Sequence, residues 1–385
     1  MSTPPNVFAR PSAAHRPPHA SDLERQMTIT LFQQERFVDA EASSRDLTAR
    51  YPQDGFGWKV LGASLQQQGR PQDALNAMQT AAKLAPTDWE AFNNLGSTHR
   101  ALGNMALAEA CYQHALQVKP DSLEAMDNLA DILRLQGKTQ EAVSQYQRRL
   151  KLTPNDGHAL HLIAMLTGEQ TSQAPADYVS RTVDLYADHF DAHLTETLSY
   201  DAPAQMVPLI QACAGVDTSD WTALDLGCGT GMVGTALAPL VAQIVGVDLS
   251  ARMLAHAQAR NVYQRLVQAD LISMMQREAA SSFDLVTAAD VFIYIGQLDD
   301  TITEIRRLLR PQGLLAFSIE TLGEEASTSA NPDFHLNATG RYSQSLAYME
   351  KLAAQHQFNV REVRETVLRV ENGQPVHGRL MIWQA

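Results

Sequence analysis

The first half of the chain repeats itself every 34 residues. The stretch GFGWKVLGASLQQQGRPQDALNAMQTAAKLAPTD, from Gly55, aligns position by position with WEAFNNLGSTHRALGNMALAEACYQHALQVKPDS, from Trp89. Leu61 coincides with Leu95, Gly62 with Gly96, Gly69 with Gly103, Ala74 with Ala108, Ala81 with Ala115 and Pro86 with Pro120. A third copy begins at Leu123 and keeps Leu129, Ala130, Gly137, Ala142 and Pro154, but carries Arg149 where the others have alanine. A degenerate copy from about Ser21 keeps Ala40 and Pro52. A unit this short cannot bury an apolar face alone, so copies must stack into an elongated array. Small residues let paired helices approach, and proline closes the second helix of each pair.

This period resembles the tetratricopeptide repeat. The resemblance implies an all-α solenoid over 21–168, with Gly157–Leu166 as one further, capping helix. It also implies a concave groove that docks a peptide or protein, or else a spacer or self-association surface. The preceding segment, 1–20, is rich in Pro, Ala and Ser and has no apolar h-region, so it is expected to be a disordered tail rather than a signal peptide.

Charge and cysteine usage narrow the class. The 385 residues carry a formal net charge of −13. No Lys/Arg-rich run interrupts that balance, which argues against nucleic acid as a partner. The three cysteines, Cys111, Cys213 and Cys228, are far apart and lack metal-ligand spacing. They are read as reduced thiols of a cytoplasmic protein, with no zinc site or other metal. No run reaches the about 18 apolar residues of a membrane helix.

Residues 169–198 read as a polar linker followed by amphipathic helices. These either pack on the next domain or form a lid, with Tyr186 or Phe190 touching a ligand. From 199 to 385, short apolar strands alternate with helices, which implies parallel strands and right-handed crossovers. After a helix near Ser343–Gln357, two strand-like runs flank Asn372–Gly373, a hairpin signal. The expected fold is a doubly wound α/β sheet of seven strands, ending in an antiparallel hairpin.

After the first strand stands LDLGCGTGMVG, from Leu224. Two ligands compete for such a loop. Gly229, Gly231 and Gly234 fit G-x-G-x-x-G, and Asp248 lies about 20 residues after the loop opens, as in a dinucleotide site. The longer pattern, Asp225-x-Gly227-x-Gly229-x-Gly231, adds a carboxylate that would repel pyrophosphate. A ligand bearing an ammonium and a sulfonium would welcome it. The stretch resembles the first motif of class I S-adenosylmethionine-dependent methyltransferases. GVDLSARML resembles the second motif, QADL the third and FDLVTAADVFIYI the fourth.

The resemblance implies S-adenosylmethionine as cofactor, held by Asp225 and the three glycines Gly227, Gly229 and Gly231. Asp248 would accept from the ribose hydroxyls. Leu249 and Met253 would line the adenine ring, Asp270 would sit near its amino group, Leu271 would supply a backbone contact, and Ala289 and Tyr186 would complete the lining. Methyl transfer needs alignment of the acceptor and exclusion of water, and a base only where the acceptor must lose a proton. Asp290, Tyr294, His335 and Arg341 are the candidates facing the acceptor, a small molecule or a protein, at oxygen or nitrogen. The rivals are a repeat adaptor with a cofactor-sensing domain and, behind it, a nicotinamide- or flavin-dependent oxidoreductase.

Overall fold

The computed structural model describes residues 19–184, 187, 191, 198, 200–322, 333–371 and 373–385. The chain divides into two compact units, Met1–Pro154 and Asn155–Ala385.

The first unit holds four helix pairs: α1 (Asp22–Gln33) and α2 (Phe37–Arg50), α3 (Gly55–Gln67) and α4 (Pro71–Leu84), α5 (Trp89–Ala101) and α6 (Met105–Val118), α7 (Leu123–Leu135) and α8 (Thr139–Leu152). The 34-residue period sets their ends. Each second helix stops two residues short of Pro52, Pro86, Pro120 or Pro154. Asp54, Asp88 and Ser122 cap α3, α5 and α7 by accepting first-turn N–H groups, which satisfies donors the helix leaves orphaned. Ala40, Ala74, Ala108 and Ala142 are fully buried at the same position of successive second helices. Gly96 is required by the opposing ring, since a Cβ there would lie 2.6 Å from Tyr112.

The deviant Arg149 is buried and compensated. Its guanidinium donates to the Asp127 carboxylate at 2.9 Å and to the Leu123 carbonyl at 3.3 Å, so the fourth pair keeps its packing without the alanine.

Helix α9 (Gly157–Thr167), expected to cap the array, continues the repeat phase with Asp156 as its cap 34 residues after Ser122. It falls within the second unit. His161 is hydrogen-bonded to the Gly340 carbonyl at 2.9 Å and stacks on Tyr178 with ring centroids 4.2 Å apart. Helix α10 (Ala176–Asp184) follows.

The sheet has nine strands: β1 (Thr222–Leu226), β2 (Gln243–Asp248), β3 (Arg265–Gln268), β4 (Phe283–Ala288), β5 (Leu309–Thr321), β6 (Phe334–Leu336), β7 (Tyr342–Gln344), β8 (Asn359–Glu371) and β9 (Gln374–Gln384). Strands β3-β2-β1-β4-β5 are parallel in that order, and the β8–β9 hairpin adds antiparallel to β5 through β9. These are the seven expected strands. The short pair β6–β7 is additional and pairs with the last residues of β5.

Alternation along β1 feeds both faces of the sheet. Leu224 and Leu226 enter a core with Phe317, Trp383 and Met349, while Ala223 enters the opposite core with Ile210, Leu285 and Ile382. The strand order reverses between β1 and β4. A crevice therefore opens beyond the C-terminal ends of these strands, where such sheets bind ligands.

Candidate active site

A cavity of about 250 Å³ occupies that crevice. Its floor is the loop 227–230, and Gly227, Gly229 and, just past the floor, Gly231 all take positive φ, a region open to glycine without strain. A Cβ on Gly227 would lie 2.6 Å from a Val291 methyl, so the loop closes tightly on the turn after β4.

Asp248, at the end of β2, pins this loop from the cavity side. Its carboxylate accepts the Gly229 N–H at 2.9 Å and the Ser250 N–H at 2.8 Å. Burial pushes its pKa up, and these N–H donors oppose the shift. The Cys228 N–H goes to the Val247 carbonyl and the Gly231 N–H to the Cys228 carbonyl. Three amides of the loop are thus already committed, and they are the donors a pyrophosphate would need.

Gly227, Gly229, Asp248, Leu249 and Met253 line the cavity, as do Asp270, Leu271 and Ala289. Asp270 also caps the helix Leu271–Met275 by accepting the Ser273 N–H at 3.1 Å. Tyr186 and Phe190 fall outside the described residues.

Asp225, expected to help hold the cofactor, lies beneath the loop, 1 % exposed, and does not line the cavity. Tyr263 donates its phenol hydrogen to Asp225 Oδ2 at 2.7 Å, and Thr287 donates to Oδ1 at 2.9 Å. Gly231 is absent from the cavity wall for a related reason: it packs against Tyr263, as do Gly234 and Gly246. A Cβ on Gly234 would fall 2.3 Å from the Tyr263 ring carbon and oxygen. One tyrosine thus fills the space that three missing side chains leave open.

Burial pushes the Asp225 carboxyl up to about 6, against the hydrogen bonds from Tyr263 and Thr287. The folded value lies above the ordinary 3.8, so the folded state holds this proton more tightly than the unfolded chain does. The resulting stability is complete below about pH 4 and is lost as pH rises through about 6. In Asp225→Asn that loss disappears. The urea midpoint of the variant should therefore change less between pH 4.5 and pH 7.5 than that of the parent. Equal pH slopes would show that this carboxyl does not titrate in that window.

The acceptor-side candidates separate. Asp290, Tyr294 and Arg341 line the cavity, whereas His335 sits on β6 and does not. Asp290 holds a φ of 55°, an uncommon conformation for a side-chain-bearing residue. It is fixed there because Ser318 accepts its N–H at 2.8 Å and Arg369 pairs with its carboxylate at 3.1 Å. Sequence reasoning missed Arg369, which is 2 % exposed and also pairs with Glu320 and, at 2.6 Å, with Glu371. Glu371 in turn binds Arg341. Tyr200 is a second omission, a buried phenol on the cavity wall.

Described residues of helix α10 border the same cavity, and Asp184 and Asp191 reach the loops beside it. Val179 and Val183 of α10 line it, Asp184 accepts from the Ser250 hydroxyl, and Asp191 accepts from Thr230 at 2.5 Å and pairs with Arg260.

A family model described as a methyltransferase domain matches residues 224–317, the span from the glycine loop through β5. Two tetratricopeptide-repeat models match residues 59–117 and 90–155. Residues 224–317 thus match a methyltransferase domain, and residues 59–155 match tetratricopeptide repeats. Among curated relatives, a malonyl-[acyl-carrier protein] O-methyltransferase of Enterobacter lignolyticus is 36 % identical over 95 residues, which are 25 % of this chain and 37 % of that protein. A ubiquinone biosynthesis O-methyltransferase of Sinorhizobium fredii is 33 % identical over 98 residues, 24 % of this chain and 38 % of its own length. The chain thus spans well under half of these relatives. Among solved structures, the Burkholderia thailandensis 1,6-didemethyltoxoflavin-N1-methyltransferase matches at TM-score 0.42 and 16 % identity, covering 56 % of this chain and 92 % of that one. Among the described residues of the methyltransferase domain and the repeats, no helix is long and apolar enough to cross a membrane, and no group of His, Cys, Asp and Glu is placed to hold a metal ion.

Proposed function

We propose that the second unit binds S-adenosylmethionine in the β1–β4 crevice and transfers its methyl group to an acceptor held at the Tyr294–Arg341 end of the cavity. The observation that carries this reading is Asp248. Its carboxylate spans the loop and the cavity wall, with oxygen lone pairs left to accept from a ribose diol, while the loop amides are spent within the protein. The fit extends along the wall. Leu249 and Met253 offer apolar surface to an adenine ring, Asp270 offers a carboxylate to its amino group, and Gly227 and Gly229 let the ligand approach bare backbone. Asp225 supports the loop from below through Tyr263.

The donor supplies an already activated methyl group, and the chain's part is to align the acceptor and keep water away. Val179, Val183 and Ile293 give the cavity apolar walls suited to that exclusion. The repeats serve either to bring a protein partner to the domain or to associate with themselves; the buried, regular packing of the pairs gives both uses a rigid surface.

Calorimetric titration of the full chain with S-adenosylmethionine, S-adenosylhomocysteine and NADH tests the ligand assignment. The first two should bind and NADH should not. Asp248→Ala should weaken the first two by about tenfold to a hundredfold, the value of one or two hydrogen bonds to a charged group. NADH binding alone would replace the assignment with a nucleotide-dependent redox enzyme. Unchanged affinity in Asp248→Ala would remove the ribose contact from the proposal.

A further inference from the structure

We infer that the acceptor presents an anionic oxygen, a carboxylate, and that the Tyr200 hydroxyl and the Arg341 guanidinium receive it. The inference rests on the methyl-transfer reading above and settles which atom takes the methyl group.

The polar groups at this end of the cavity are sorted by what they have left to offer. Every carboxylate is spoken for. Asp290 binds Ser318 and Arg369, Glu320 binds Arg369, and Glu371 binds both Arg369 and Arg341. Each nitrogen of Arg369 is on a different carboxylate. Two further donor groups line the cavity. Arg341 donates to Glu371 and is hydrogen-bonded to the Tyr294 phenol, and its five-donor guanidinium lines the cavity with N–H groups to spare. Tyr200 is 7 % exposed, lies on the cavity wall within the field of Asp290 and Arg369, and its hydroxyl has no partner among the described residues. Burial holds its pKa well above the usual tyrosine value, so it stays a donor.

A donor that opens on the cavity without an acceptor in the protein can be answered by a ligand oxygen. A phenol and a planar guanidinium together suit a carboxylate, which can take a hydrogen bond on each oxygen. Among the described residues that line the cavity there is no histidine or lysine, and none at this end is an unpaired carboxylate. An ammonium acceptor would need such a base; a carboxylate does not. Two guanidiniums against three carboxylates leave no surplus of positive charge. Directional donors and the missing base therefore make the selection, not net charge. In the step, an acceptor oxygen lone pair forms the new bond to the methyl carbon, the methyl–sulfur bond breaks with its electron pair going to sulfur, and no proton is released.

The test uses the full chain saturated with S-adenosylhomocysteine and titrated with octanoate and with octylamine as probes. Octanoate should bind at least tenfold more tightly, and Tyr200→Phe and Arg341→Gln should each erase most of that preference; Tyr200→Phe removes only the hydroxyl and keeps the packing. In parallel, the protein is incubated with methyl-tritiated S-adenosylmethionine and a metabolite extract, and the products are treated with base. Label released as volatile methanol marks a methyl ester and is the expected result. Octylamine binding as tightly as octanoate, no preference between them, or label that resists base overturns the inference. Failure of S-adenosylhomocysteine to bind at the first step sinks the methyl-transfer reading itself, whereas binding without a carboxylate preference sinks only the acceptor assignment.

Discussion

Replacing Arg369 with methionine is expected to destabilise the second unit by about 3–5 kcal/mol, the cost of removing one partner from a buried ion-pair cluster. Methionine keeps most of the length and apolar stem of the side chain, so the loss is electrostatic rather than a cavity. Asp290, Glu320 and Glu371 come from the turn after β4, from β5 and from β8, and Arg369 is their common cation. Without it Arg341 alone faces three carboxylates, and it directly pairs only with Glu371. The buried Glu320 carboxyl, which desolvation already pushes up, then loses its cation and takes a proton more readily in the folded state. The deficit should therefore shrink as pH falls from 8 to 5. Urea unfolding of the full chain at several pH values reads both effects. A loss below about 1 kcal/mol, or one that grows toward low pH, would mean that the cluster is solvated and does not organise this end of the cavity.

Gly234→Ala is expected to cost about 3 kcal/mol and to weaken S-adenosylhomocysteine binding in the same protein. The new methyl would lie 2.3 Å from the Tyr263 ring. Tyr263 has little room to yield. It is flanked by Gly231 and Gly246, whose own Cβ positions lie within 3.0 Å of it, and its hydroxyl is tied to Asp225. Overpacking at a pinned ring forces the backbone to move, and the backbone here is the ligand loop. Tyr263→Leu leaves room for that methyl, so the double variant should lose less than the sum of the two single ones, by about 1–3 kcal/mol. Additive losses would show that Tyr263 and the loop are not mechanically joined.

The repeats were legible because a period of 34 writes the same residue at the same contact several times, and chance does not do that. The glycine loop and its strand were legible because apolar runs, glycines and an acidic strand end follow in a fixed order. The orientation of Asp225 was not. A carboxylate two residues before Gly227 can point above or below the loop, and the partner that decides it, Tyr263, stands 38 residues away in the chain. Arg369 was hidden by a bulge. The β8 sequence alternates charged and apolar residues like an exposed strand, but the register shifts between Val367 and Arg369. That added residue turns one arginine into the core among many that face solvent. His335 drew notice by residue type alone, and no spacing tied it to the crevice.

Helix α9 carries a practical consequence for dividing the molecule. By repeat phase it looks like the last helix of the array, and a cut placed in the polar stretch after it would leave it with the repeats. The His161–Gly340 hydrogen bond and the stacking on Tyr178 would go with it, and both support the loop that ends in Arg341. A cut that respects the covalent seam falls between Pro154 and Asn155, and the fragment that follows keeps its own buttress.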